Sequence, residues 1–129
     1  MERYLLLLNE DHDYLDWAAR KLEADGIRVL KCDDAEKALK VIEKVDVEIA
    51  IVDILMPASD GGDGLSVLKQ IKAKAKNWSE MLFILTASFP TAAQLINATQ
   101  LGAHDILKKE SLTFELKKLI EDAWQVIDA

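Results

Sequence analysis

The sequence predicts an α/β domain in which five short parallel strands form one sheet and five helices cover both of its faces. Short apolar runs alternate with stretches whose apolar residues recur at three- and four-residue spacing, five times over. The middle run, Ile49-Ala50-Ile51-Val52, is apolar without interruption, as a strand buried on both faces must be. It ends on one carboxylate, Asp53, before Ile54-Leu55-Met56-Pro57. Ligands and chemistry in open parallel sheets collect outside the carboxyl ends of the strands, which is where Asp53 falls.

In chain order, Tyr4 to Leu8 is apolar and ends at Asn9-Glu10-Asp11, giving a first buried strand. From Asp11 to Asp25, Tyr14, Leu15, Ala18 and Leu22 follow a helical period, and Gly26 supplies the stop. Ile27 to Leu30 is a second strand. Asp33 or Asp34 caps the next helix, whose buried stripe is Ala35, Ala38, Leu39 and Ile42. After the strand of Asp53, residues 58–64 are a flexible loop by composition, and Leu65, Leu68, Ile71 and Ala75 mark a third helix. Met81 to Leu85 is a fourth strand running into Thr86-Ala87-Ser88. Pro90-Thr91 opens a fourth helix through Ala92, Leu95, Ile96 and Thr99, closed by Gly102. Ile106-Leu107 is a short fifth strand leading to Lys108-Lys109. The last helix carries Leu112, Leu116, Leu119, Ile120, Ala123 and Ile127 on one side.

The 129 residues suffice for one domain with a full core, and neither an internal repeat nor an interior linker divides them. Sixteen Lys+Arg against 23 Asp+Glu give a net charge of -7, which argues against direct nucleic-acid binding and against docking on anionic lipid. The apolar runs are too short to span a bilayer, and the N-terminus lacks the zones of a signal peptide. With one cysteine, Cys32, the expected location is the reducing cytoplasm.

Parallel strands place all their carboxyl ends on one edge. There Asn9, Glu10 and Asp11 follow the first strand, Asp53 ends the third, Thr86 the fourth and Lys109 the fifth. Carboxylates gathered in one crevice repel unless a cation joins them. Magnesium suits such a set, because it takes oxygen ligands and needs only one or two carboxylates plus phosphate oxygens. A hydroxyl and an ammonium on neighbouring strand ends are the groups that grip a phosphoryl group, whose transfer asks chiefly for an in-line nucleophile and positive charge.

With Leu8-Asn9-Glu10-Asp11, Val52-Asp53-Ile54-Leu55-Met56-Pro57, Leu85-Thr86-Ala87 and Gly102-Ala103 leading to Lys109, the chain resembles the receiver domain of bacterial two-component response regulators nearly end to end. The resemblance implies a flavodoxin-like, CheY-like fold over residues 1–129 with strand order 2-1-3-4-5. It implies that Asp53 accepts phosphate from a sensor histidine kinase or phosphotransfer protein. Glu10, Asp53 and the backbone carbonyl of Leu55 would hold Mg²⁺, with Asn9 reaching it through water, and Thr86 and Lys109 would contact the phosphoryl oxygens. Such a domain assists its own phosphorylation and dephosphorylation without being a stand-alone enzyme. It switches a surface of the fourth helix, fifth strand and fifth helix toward a downstream effector domain or protein, or toward a second copy in a phosphorylation-linked dimer.

Four departures stand out. Asn9 occupies a position usually acidic in that family and contributes no charge, Ile106 replaces an aromatic residue, Glu110 replaces a proline, and the 60–64 loop is longer than usual. Leu55 and Ser88 lie where the family lines the path of an attacking water, and apolar Leu55 cannot orient one, so a long-lived aspartyl phosphate is expected. Asn9 also supports a rival reading, a receiver-like interaction module that is never phosphorylated. A cofactor binder or hydrolase would need a phosphate-cradling glycine loop after a strand, and the glycines after Pro57 lack that pattern. His12 and His104 lack metal-ligand spacing, Asp60 and Asp63 lack that of a calcium loop, and the lysines from 69 to 76 read as a solvated face. Trp17 and Trp124 belong to helix surfaces or core edges, and Trp78, in a loop, is a candidate partner contact.

Overall fold

A computed structural model describes residues 4–128, excluding the side chains of Thr113, Ile120 and residues 123–128. The expectations for Ile120, Ala123, Trp124 and Ile127 as packed side chains therefore lie outside the described residues. The elements are β1 (Tyr4–Leu8), α1 (His12–Glu23), β2 (Arg28–Cys32), α2 (Ala35–Lys44), β3 (Ile49–Asp53), α3 (Gly64–Lys74), β4 (Leu82–Ala87), α4 (Ala92–Gln100), β5 (Asp105–Lys108) and α5 (Leu112–Asp128). Single 3-10 turns occupy Trp78–Glu80 and Lys109–Ser111. All strand pairs are parallel, in the order β2-β1-β3-β4-β5, so the predicted α/β class and strand order hold.

The pleat of the sheet sorts its side chains into two layers, because alternate residues point to opposite faces. Leu6, Leu8, Ala50, Val52, Phe83 and Leu85 meet α2, α3 and Ala98 of α4 on one face. Leu5, Leu7, Ile49, Ile51 and Ile84 meet α1 together with Leu112 and Leu116 of α5 on the other. Every residue of β3 is buried, which explains its unbroken apolar run. Each such aliphatic side chain contributes about 1.5–3 kcal/mol relative to exposure.

Polar residues set the helix starts. Asp11, Asp34 and Asp63 accept hydrogen bonds from the backbone N–H of Tyr14, Lys37 and Leu65, and Thr91 with Gln94 forms a capping box on α4. Asp34 is thus the cap of α2, while the Asp33 carboxylate pairs with Lys37 and His12. Gly26 follows α1 at φ 82°, a conformation costly for any side chain with a Cβ.

Several expectations need correction. β2 starts at Arg28 and runs on to Cys32, and Thr86 and Ala87 lie within β4. The fourth helix forms as expected, but Leu95 and Ile96 are 38% and 54% exposed, and Ala98 is the buried residue of that helix. α4 makes a shallow contact through a small side chain, and its larger apolar residues face outward. Trp78 is not a free loop residue. Its ring lies 5.6 Å from that of Phe83, under the Lys72 ammonium and against Gly102. Among the described residues no helix is long and apolar enough to cross a membrane.

Burial, and after it the charges of Asp34 and Asp33, push the Cys32 thiol up to about 11. At pH 8 it should therefore carry about 100-fold less thiolate than an ordinary cysteine. Iodoacetamide is expected to label the native protein at least that much more slowly than the denatured chain. Equal labelling rates would show that Cys32 is not enclosed.

Candidate functional site at the carboxyl edge of the sheet

The strand register delivers the chemical groups to one place. Asp53 ends β3 directly opposite Thr86 of β4, and Asn9 leaves β1 one step beyond the Leu8–Val52 pair. Asp53, Thr86 and Asn9 are all buried, and among the described residues they are the polar members of an otherwise apolar interior. Buried polar groups at this density need partners, so their hydrogen bonds define the site.

Asp53 Oδ2 lies 2.5 Å from the Lys109 ammonium, and Oδ1 accepts the backbone N–H of Leu55 at 3.0 Å. The Asp53 side chain is 8% exposed and that of Lys109 22%, so this pair is held largely away from solvent screening. Lys108, its neighbour, points outward and pairs with Glu110 at 3.4 Å. Lys109 follows the last residue of β5, at the start of the 3-10 turn, and it is this residue and not Lys108 that reaches Asp53.

The segment after β3 is tightly tied. Ile54 N–H donates to the Thr86 carbonyl at 2.8 Å, Met56 N–H to that of Asp53 at 2.9 Å, and Gly64 N–H to that of Ile54 at 2.8 Å. Leu55 is left 72% exposed beside the carboxylate. Gly64 packs against this backbone so closely that a Cβ there would lie 2.4 Å from the Asp53 carbonyl oxygen. Sequence composition marks residues 58–64 as flexible, whereas Gly64 is the point where α3 is seated on the end of β3.

Asn9 Oδ1 accepts the Asp11 N–H at 2.9 Å, and its own N–H donates to the Cys32 carbonyl at 3.1 Å. Its buried Nδ2 has no protein partner among the described residues. Glu10 stands exposed at the rim. The structure thus brings together Asp53, Lys109, Thr86 and Asn9, while Glu10 borders them from solvent. Ser88 is also exposed.

One site residue escaped the sequence reading. Tyr14 of α1, which the sequence marks only as one position of a helical period, donates its hydroxyl to the Lys109 carbonyl at 3.0 Å, and its ring centroid lies 6.0 Å from the Lys109 ammonium. Burial, followed by the charges of Asp53 and Glu110, raises its titration far above the ordinary tyrosine value. Nothing in a helical period distinguishes a stripe residue that packs from one that also reaches another strand end.

Among the described residues, no three His, Cys, Asp and Glu side chains gather as a metal cluster. Of the residues expected to hold an ion, Asp53 is buried at the end of β3 and Glu10 is exposed two residues after β1, and with the Leu55 carbonyl they offer only oxygen. That sparse, all-oxygen set is what Mg²⁺ uses when substrate oxygens complete its shell, and it is too poor for Ca²⁺ or Zn²⁺.

Residues 5–121 match the family model described as the response regulator receiver domain. The chain is 32% identical over 115 residues to a cyclic di-GMP phosphodiesterase of Thermotoga maritima, covering 89% of this chain and 29% of that protein. It is 28% identical over 116 residues to the regulatory protein VanR of Enterococcus faecium, covering 90% of this chain and 47% of that one. The chain therefore spans less than half the length of either relative. A two-component response regulator from Clostridium difficile superposes with a TM-score of 0.86 at 20% identity, covering 99% and 100% of the two chains, a likeness of fold. Together with the sheet order and a family match over nearly the whole chain, this places the protein in the response regulator receiver domain family of two-component systems.

Proposed function

We propose that the domain is a phosphorylation-controlled switch in which Asp53 is the phosphoacceptor. The observation that carries this is the buried Asp53 carboxylate, fixed by the Leu55 N–H on one oxygen and the Lys109 ammonium on the other. The donor would be a phosphohistidine on a sensor histidine kinase or phosphotransfer protein. An Asp53 carboxylate oxygen forms the new bond to phosphorus as the phosphorus–nitrogen bond breaks, and that bond's electron pair returns to the donor imidazole. The enzyme-like work is positioning and charge, as phosphoryl transfer requires. Leu55 N–H sets the rotation of the carboxylate. Lys109 exchanges one anionic partner for another as phosphoryl oxygens arrive, and the Thr86 hydroxyl donates to them.

Glu10, Asp53 and the Leu55 carbonyl are the groups that would hold Mg²⁺, with Asn9 ordering a water beside it. When bound, the ion would neutralise charge on the phosphoryl oxygens. With an amide at position 9 the set carries one negative charge fewer than a second carboxylate would give, and Mg²⁺ binding should be correspondingly weaker.

The output would be a shift between two arrangements of α4, β5 and α5, biased by the movement of Thr86 and Lys109. Leu95 and Ile96, outward on α4, give that surface apolar anchors for an effector domain or protein, or for a second copy. The domain is proposed to act in the cytoplasm, assisting its own phosphorylation and dephosphorylation rather than serving as a stand-alone enzyme.

Incubation with acetyl phosphate and Mg²⁺ followed by intact mass is the test, with one added phosphoryl group expected. No gain in mass, together with unchanged backbone resonances around Asp53 on adding beryllofluoride and Mg²⁺, would favour an interaction module that is not phosphorylated. Leu55, exposed two residues after Asp53, offers no polar group to an attacking water. Leu55→Asn is expected to shorten the lifetime of the aspartyl phosphate on the order of 10-fold, the worth of about one hydrogen bond. Unchanged decay would remove Leu55 from the account.

A further inference from the structure

Lys109 sits where β5 has ended and a single 3-10 turn begins, so no strand ladder holds it. Its side chain has a four-carbon stem with many rotamers, and the ammonium tip is placed only as well as the backbone beneath it. Two donors converge on its carbonyl oxygen: the backbone N–H of Leu112, which closes the 3-10 turn, and the hydroxyl of Tyr14. Both lone pairs of that oxygen are thereby used, which fixes the peptide plane from which the side chain departs. The Tyr14 ring also lies on the same side as the Lys109 ammonium, at 6.0 Å from its centroid.

Tyr14 is itself held. Its backbone N–H donates to Asp11 Oδ1 at 3.2 Å, its ring stands 5.8 Å from that of Trp17, and Asp11 N–H is in turn fixed by Asn9 Oδ1. A continuous line of contacts thus runs from the end of β1, through the first turn of α1, to the residue that faces Asp53.

We propose that Tyr14 is a positioning residue whose hydroxyl, by holding the Lys109 carbonyl, sets the Lys109 ammonium for capture of the phosphoryl group. This rests on reading Asp53 as the phosphoacceptor. The hydroxyl is suited to a permanent role, since its raised titration keeps it an O–H donor at every working pH.

Tyr14→Phe keeps the ring, its packing on Trp17 and its face toward Lys109, and deletes only the donor. The Lys109 carbonyl keeps the Leu112 N–H, so the variant should fold with a melting temperature close to that of the parent. Phosphoryl uptake from acetyl phosphate and Mg²⁺ is expected to slow about 3- to 10-fold, the effect of losing one hydrogen bond. The Lys109 side-chain ¹³Cε–¹⁵Nζ resonance of the resting protein should shift with it. In a Lys109→Ala background the same change should slow uptake less than about twofold, because the hydroxyl then has nothing to position.

Equal slowing by Tyr14→Phe in both backgrounds would overturn the proposal, as would an unmoved Lys109 resonance with uptake at the parental rate. If the parent protein takes up no phosphoryl group, the phosphoacceptor reading fails by itself. The resonance of Lys109 in the resting Tyr14→Phe protein then decides alone: a shift upholds the positioning of Lys109 by Tyr14, and no shift refutes it.

Discussion

An Asp53→Asn protein is expected to keep its fold and to gain no mass from acetyl phosphate and Mg²⁺. The amide retains the shape of the carboxylate, and its oxygen can still accept the Leu55 N–H that Oδ1 accepts at 3.0 Å. What it loses is the anionic nucleophile and the partner of Lys109. The stability change should fall below the roughly 3–5 kcal/mol of breaking a fully buried pair, because two effects oppose each other. Burying a neutral amide costs less than burying a carboxylate, whereas the Lys109 ammonium loses its counter-charge. With 22% of its side chain exposed, Lys109 can turn toward water. Thermal melting and intact mass, measured on the same preparation, separate a chemical loss from a folding loss. Undiminished phosphoryl uptake would exclude Asp53 as the acceptor.

The second large effect is expected at a residue without a side chain. Gly64→Ala would place a methyl group 2.4 Å from the Asp53 carbonyl oxygen and 2.7 Å from Ile54 Cα, both of them backbone atoms that no rotamer change can move aside. Either α3 lifts from the sheet or the end of β3 shifts. Overpacking of this kind costs about 1–3 kcal/mol, enough to lower the melting temperature by roughly 5–15 °C in a chain of this size. Because the displaced atoms belong to Asp53 and its neighbour, phosphoryl uptake should fall as well, and by more than the unfolded fraction explains. Gly61→Ala is the control. Gly61 has a φ of 85° with open space where a Cβ would stand, so the change there costs backbone strain of about 1–2 kcal/mol without touching Asp53. Equal losses of uptake in the two variants would mean that contact with the Asp53 backbone is not what matters.

The central strands were legible because β1, β3 and β4 are buried on both faces, and burial on both faces writes an unbroken apolar run such as Ile49 to Val52. Parallel topology then forces strand ends to one edge, so Asp53, Thr86, Asn9 and Lys109 could be gathered without coordinates. α4 was less legible. Its apolar period predicts a helix but not the face it buries: Leu95 and Ile96 face out, because a short helix resting on Ala98 shows its larger residues to solvent. Periodicity records amphipathicity, not which face meets the sheet. Gly64 was read as loop flexibility because composition cannot see a close backbone approach. Tyr14 was invisible for a related reason: its hydroxyl bond to Lys109 spans 95 positions of sequence, and no local pattern announces it.

Borohydride reduction of the acetyl phosphate-treated protein, followed by peptide mapping, measures directly where the phosphoryl group is held. Reduction of an aspartyl phosphate leaves homoserine, and the account places it at position 53 alone. Homoserine at Asp11 or another aspartate, or phosphate on a side chain that borohydride does not reduce, would contradict it.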